Sequence, residues 1–168
     1  MGKRNMVIEE EERENQEELN EEQELEAIEE LKQIPGIDLY ESGGIYTITK
    51  QLQKGELQIE FEEGEDLMYL WINHILIYLQ DRDVTIKIAQ YGDTDHYVYF
   101  KVGNKKFEKD VEDEFSEPLY FLGFGDVIDV FSNSTEFINE KVEEFLNLYK
   151  EEIDSEIVKG IRNLLRQL

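Results

Sequence analysis

The chain has 168 residues, enough for one domain with a genuine core. Its 41 Asp and Glu against 17 Lys and Arg give a net charge of −24, which opposes direct binding to DNA, RNA or an anionic membrane, because phosphate recognition rests on cations. With no cysteine, disulfides, thiolate metal sites and cysteine nucleophiles are excluded.

The amino terminus, MGKRNMVIEEEE, lacks the apolar stretch of a secretory signal and shows no lipidation pattern. A cytoplasmic protein is expected. From Met1 to Gln33, thirteen glutamates face Lys3, Arg4, Arg13 and Lys32, a net −9. Only Leu19 is apolar between Glu9 and Glu24, so the first part has no face to bury. Residues 1–17 are expected to be a frayed acidic arm, and 18–168 a single domain. A helix is expected over about 18–33, docked by Leu25, Ile28, Leu31 and Ile34 and stopped by Pro35-Gly36.

Strands follow. Gly36–Tyr40 reads as a short one, and Ile45–Leu52 is rich in β-branched residues and tyrosine. After a turn at Lys54-Gly55, Leu57, Ile59 and Phe61 alternate with Gln58, Glu60 and Glu62, the period of a half-buried strand. The run Leu67–Leu79, LMYLWINHILIYL, is apolar throughout, and at thirteen residues it is too short to span a bilayer, which needs about 20. It exceeds a typical strand of about 5–6 residues. Gly64, Glu65 and Asp66 offer a helix start, and Asp81-Arg82-Asp83 an end. A central apolar helix over about 66–80 is therefore expected.

Val84, Ile86 and Ile88 alternate with polar residues. His96–Val102 and a short strand about Lys106-Phe107 complete a meander. Residues 108–117 are strongly acidic. Pro118–Phe131 reads as one or two buried strands bent at Gly123-Phe124-Gly125. Asn133–Glu136 supplies cap residues for a helix with Ile138, Val142, Phe145 and Tyr149 on one face. Asp154-Ser155 starts a last helix striped by Ile157, Ile161, Leu164 and Leu168. Its Lys159, Arg162 and Arg166 complement the helix dipole and read as a solvated face. The fold class is α+β: an antiparallel sheet on the central helix, two C-terminal helices and an acidic N-terminal helix.

No pattern carries catalysis. Gly123-Phe124-Gly125 lacks the third glycine of a dinucleotide site, and Asp126 and Asp129 would repel phosphate. Asp93 and Asp95 beside His96 lack the spacing of a calcium loop. His74 reads as a core histidine bonded to a backbone carbonyl, beside Asn73. No nucleophile elbow exists, and the two histidines offer few triads. No enzyme activity, cofactor or metal is expected.

Charge carries the remaining signal. A helix with glutamates three and four apart can imitate the phosphate row of a nucleic-acid strand. Candidate contacts are Glu21, Glu22, Glu26, Glu29 and Glu30 on the first helix, with Asp110, Glu112, Asp113 and Glu114. In size and charge the chain resembles inhibitors of restriction and CRISPR enzymes carried by phages and mobile elements, a likeness of composition alone. The expected function is inhibitory binding to a basic, nucleic-acid-handling protein, with no direct contact to nucleic acid or membrane. Two alternatives stand beside it. One is an immunity protein, antitoxin or assembly or secretion chaperone with one basic client, met through an apolar patch around Tyr97, Tyr99, Phe121 and Phe124. The other is a small enzyme or ligand-binding domain with a pocket beside His74 and Tyr69. Solubility or salt adaptation would also account for the acidity.

Overall fold

Alternation of wet and dry side chains along Leu57–Glu62 makes a strand with one face to bury, and the architecture follows from repeating it. The computed structural model describes residues 21–64, 69–92, 95–112 and 118–168. A helix over 21–32 (α1) leads into β1 (Ile37–Ser42), β2 (Ile45–Leu52), β3 (Gly55–Glu63), β4 (Tyr69–Leu79), β5 (Val84–Tyr91), β6 (Asp95–Val102) and β7 (Lys105–Val111). Each strand pairs antiparallel with the next in chain order. A short β8 (Tyr120–Leu122) returns to pair with β4, and α2 (Gly123–Ser132), α3 (Ser134–Leu148) and α4 (Ser155–Leu165) follow. The protein is α+β. The arm expected over residues 1–17 lies outside the described residues.

The central helix expected over about 66–80 is not a helix. Tyr69–Leu79 is β4, the middle strand of the sheet. Its inward side chains are Leu70, Ile72, Ile75, Ile77 and Leu79, all buried, while Trp71, Leu76 and Tyr78 on the other face are half-buried. Both faces are apolar, so no period of two survives in the sequence. A β-bulge erases what remains. Glu60 pairs with His74 and Phe61 with Ile72, leaving Asn73 as the extra residue and switching the parity of burial. The unusual length has a cause as well. β3 pairs along the whole of one edge of β4, while the other edge is shared, with 74–79 taken by β5 and 69–71 by β8. Glu65 and Asp66, the expected cap, lie outside the described residues.

Pro118–Phe131 also departs from expectation. Only Tyr120–Leu122 is strand. Gly123, at φ +75°, turns the chain, and α2 begins there. Phe124, Val127 and Phe131 recur at helical steps and are buried. Lys50 of β2 donates to the Phe131 carbonyl at 2.6 Å, placing a cation at the negative end of α2. The expected stripe of α3 is observed, with Ile138, Val142, Phe145 and Tyr149 buried. Asn133 does not cap it: its side-chain amide donates back to the Asp129 carbonyl at 3.1 Å. Asp154 does cap α4, accepting from the Glu156 amide at 2.8 Å. Arg162 holds Glu143 through paired bonds of 3.0 to 3.2 Å. All core-facing side chains of β2–β6 point to the face that the helices cover.

On α1, Ala27 and Leu31 are buried, and Ile28 and Ile34 pack at the edge. Leu25, expected in that stripe, is 65% exposed. It lies two residues before Ala27, about 200° round the helix, so it faces away.

Two glycines make a paired test. A Cβ at Gly55, which opens β3 opposite Leu79, would stand 2.1 Å from the Tyr78 carbonyl oxygen. Backbone must move, so Gly55→Ala is expected to lose at least about 2 kcal/mol in urea unfolding. Gly125 in α2 has nothing within 4 Å of the same position. Gly125→Ala is expected to be neutral or to gain up to about 1 kcal/mol from helix propensity.

Candidate functional site: an acidic face on helix α1

Charge is not spread evenly. Among the described residues, 21–64 and α2 hold fourteen carboxylates against Lys32, Lys50 and Lys54, a net −11; the rest hold fourteen against eleven cations, a net −3. Ion pairs follow the same division. Lys105 meets Asp154 and Glu156, Lys109 meets Glu152, Lys141 meets Glu144 and Arg162 meets Glu143. In the acidic part, Lys32 reaches only Glu29, at 3.7 Å, and Lys50 is spent on a carbonyl. Among the described residues, this part of the chain therefore holds carboxylates in large excess over cations.

Helix α1 carries six of these fourteen. Glu21, Glu22, Glu26, Glu29 and Glu30 are all exposed. Glu22 to Glu30 rises about 12 Å at 1.5 Å per residue. A nucleic-acid strand places three or four charges in about that length, at roughly 3.4 Å each. Asp110 and Glu112 are exposed too, but Asp110 sits on β7, the edge strand opposite β1, and Glu112 follows that strand. They form no common face with α1. Asp113 and Glu114 lie outside the described residues.

The seat of α1 is built from residues far apart in sequence. Tyr46 alternates with Ile48 on the dry face of β2. Its hydroxyl donates to Glu24 of α1 at 2.5 Å and lies 3.0 Å from Glu63 of β3. Its ring stacks on Phe61, centroids 5.2 Å apart, and meets Phe124 of α2 edge-on at 5.4 Å. Burial, then the bond to Glu24 and its charge, push the Glu63 carboxyl up to about 7. Burial and the same two carboxylates drive the Tyr46 hydroxyl far above its ordinary range, so it stays protonated. In the sequence only Tyr46 stands out, by its place on the dry face of β2; Glu24 and Glu63 are two among many glutamates.

Beside this seat a cleft of about 430 Å³ opens between α1 and the start of α2. Glu24, Glu26 and Glu30 form one wall; Leu122, Gly123, Phe124, Gly125 and Ile128 form the other. Asp126 accepts from the Leu122 amide at 2.8 Å, so a carboxylate already occupies the amide end of α2. The cleft suits a cationic side chain with an apolar stem and repels phosphate.

His74 is not bonded to a backbone carbonyl as expected. It is half-buried on the open sheet face, Nε2 at 3.4 Å from the Gln58 amide oxygen and Nδ1 at 3.8 Å from Glu60. Burial, against the pull of Glu60, lowers its pKa. Neither His74 nor Tyr69 lines the α1–α2 cleft. His96 is buried against Tyr149 and Phe145. Asp95 opens β6, and Asp93 lies outside the described residues. Among the described residues, no group of three or more His, Asp or Glu is placed to hold a metal ion, and no helix is long and apolar enough to cross a membrane.

The apolar patch falls elsewhere than expected. Phe121 and Phe124 are buried, while Tyr97 and Tyr99 are half-buried on the open sheet face. Exposed instead are Tyr69, Tyr120 and Leu122, with the two tyrosine rings edge-on at 5.3 Å. Compared with known protein families, with curated protein sequences and with solved structures, the chain matches none.

Proposed function

We propose that this is a non-catalytic binding protein whose α1 carboxylates dock on a basic surface of a nucleic-acid-handling protein, where they occupy the place of phosphates. The observation that carries this reading is the uneven charge, a net −11 on 21–64 and α2 against −3 elsewhere among the described residues. Solubility alone asks only for charge, not for a part of the fold almost empty of cations. Restriction and CRISPR enzymes are suitable partners, because their nucleic-acid channels are lined with Lys and Arg. The cleft beside α1 would receive one such side chain.

Capture of candidate partners at low and at high salt tests this directly. Binding is expected to fall steeply as salt rises and to be competed by duplex DNA. Replacing Glu22, Glu26, Glu29 and Glu30 together with glutamine is expected to weaken binding about thirtyfold at low salt, from roughly 0.5 kcal/mol per exposed charge. A variant that binds as well as the parent would remove α1 from the interface.

One observation favours a second reading, a dedicated protector or chaperone of a single client. Among the described residues nothing covers the sheet face away from the helices, and Ile45, Tyr69, Tyr120 and Leu122 are exposed. Aromatic anchors of this kind are enriched in protein interfaces. Capture that resists high salt and is lost in Tyr120→Glu would favour this client over a nucleic-acid mimic.

A further inference from the structure

We propose that Glu24, Tyr46 and Glu63 form a proton-dependent latch that holds helix α1 on the sheet and loosens as pH rises toward neutrality. The argument begins with a count of hydrogens. The Tyr46 hydroxyl has one, yet two carboxylate oxygens stand around it, Glu24 at 2.5 Å and Glu63 at 3.0 Å. One hydrogen satisfies one of these contacts. The other needs a second proton, held by a carboxyl group. With both glutamates ionised, one oxygen would face another across a half-buried gap with no hydrogen between them.

Glu41 of β1 adds repulsion, and Glu21 lies one turn earlier on α1 itself. β3 and α2 face the group with the rings of Phe61 and Phe124. Among the described residues, no lysine or arginine pairs with Glu24, Glu41 or Glu63. Apolar contact is limited, because among the described residues only Ala27 and Leu31 of α1 are buried.

The direction of the effect is fixed by the Glu63 carboxyl, which sits at about 7 with α1 docked, and whose pKa falls back toward the ordinary carboxyl value when undocking exposes it and removes Glu24. The raised value means that the proton favours docking. Docking is complete below about 4.5, weakens as pH rises to about 7, and levels off above that. The latch is a property of the fold and holds whether or not α1 is the binding face. Where α1 is that face, partner binding weakens over the same window.

Hydrogen exchange of the full chain between pH 5 and 8.5 reads the latch, with amide protection factors for 21–32 compared against those of β4. Protection of α1 is expected to fall about tenfold per pH unit up to about pH 7, since docking takes up one proton, and to stay below that of β4 throughout. Glu63→Gln, whose amide stands in for the protonated acid, is expected to flatten the dependence. Glu24→Gln, on the accessible side of the pair, is expected to do the same and serves where Glu63→Gln does not fold. Flat protection in the parent, or an unchanged slope in a folded variant, overturns the proposal. Pronounced pH dependence of α1 with pH-independent partner binding would leave the latch standing and remove α1 from the interface.

Discussion

Replacing Phe61 with alanine is expected to lower stability by about 4 kcal/mol, within the range for deleting a buried aromatic ring. Phe61 is fully buried near the end of β3, beside the bulge. Its ring stacks on Tyr46 and meets Phe121 at 5.3 Å and Phe124 at 6.1 Å, both edge-on. It therefore joins β2, β8 and α2 through one side chain. The loss combines the apolar area returned to water, a cavity that strands on both sides cannot collapse into, and the ring contacts themselves. In a domain of this size the melting temperature should drop by roughly 8–16 °C. Phe61→Leu keeps most of the volume and should cost only about 1–1.5 kcal/mol. Because Tyr46 loses its stacking partner, α1 should lose exchange protection in Phe61→Ala as well. A loss below about 1.5 kcal/mol in urea and thermal unfolding would mean that the aromatic group is not a joint of the fold.

Much of the fold was legible because burial on one side leaves a period. Leu57, Ile59 and Phe61 alternate as a strand should and are all buried, and so do Val84, Ile86 and Ile88. Ile138, Val142 and Phe145 step by four and three, and they line the dry face of α3. Where both faces are covered by apolar or aromatic residues, the period disappears, and β4 was misread for that reason. A signal remained. Tyr69, Trp71, Ile72, Ile75, Ile77 and Tyr78 are types that favour strands, and the alternation on either side of Asn73 is intact with its parity reversed. α2 failed in the opposite way. Its β-branched residues suggested strand, while the spacing of Phe124, Val127 and Phe131 carried the helix.

The candidate site was legible only in outline. Glutamates on α1 could be counted, and their exposure followed from the shortage of apolar residues around them. That Asp110 would lie on the far edge of the sheet could not be read, because the meander sets that separation through pairings spread over the whole chain. Nor could the contact of Glu24 with Tyr46 and Glu63, which are 22 and 17 residues from Tyr46. The one available clue was Tyr46 itself, which alternation places on the dry face with a hydroxyl that must find partners.

Gln90→Leu is expected to cost about 3 kcal/mol although it leaves no cavity, because it strands backbone groups rather than removing volume. Gln90 stands where β5 parts from β4 and β8 arrives to take its place. Its side-chain nitrogen donates to the carbonyls of Ile72 and Leu119, and its oxygen accepts from the Leu119 amide at 3.0 Å. A sheet that changes partners along one edge leaves such groups without a ladder, and one buried amide side chain supplies what the ladder omits. With leucine there, the Leu119 carbonyl keeps its bond from the Ile72 amide at 3.2 Å, but the Ile72 carbonyl and the Leu119 amide lose theirs. Each buried orphan costs about 1–3 kcal/mol. Gln90→Glu should be worse at neutral pH, since a carboxylate would face two carbonyl oxygens, and should recover as pH falls and the acid regains a donor. Hydrogen exchange separates this from a general loss of stability. In Gln90→Leu the amides of 119–122 should open well before those of β2 and β3, and the Tyr69–Tyr120 patch should loosen with them. Protection of β8 that survives unchanged, with a stability loss under about 1 kcal/mol, would show that the fork closes without its clamp.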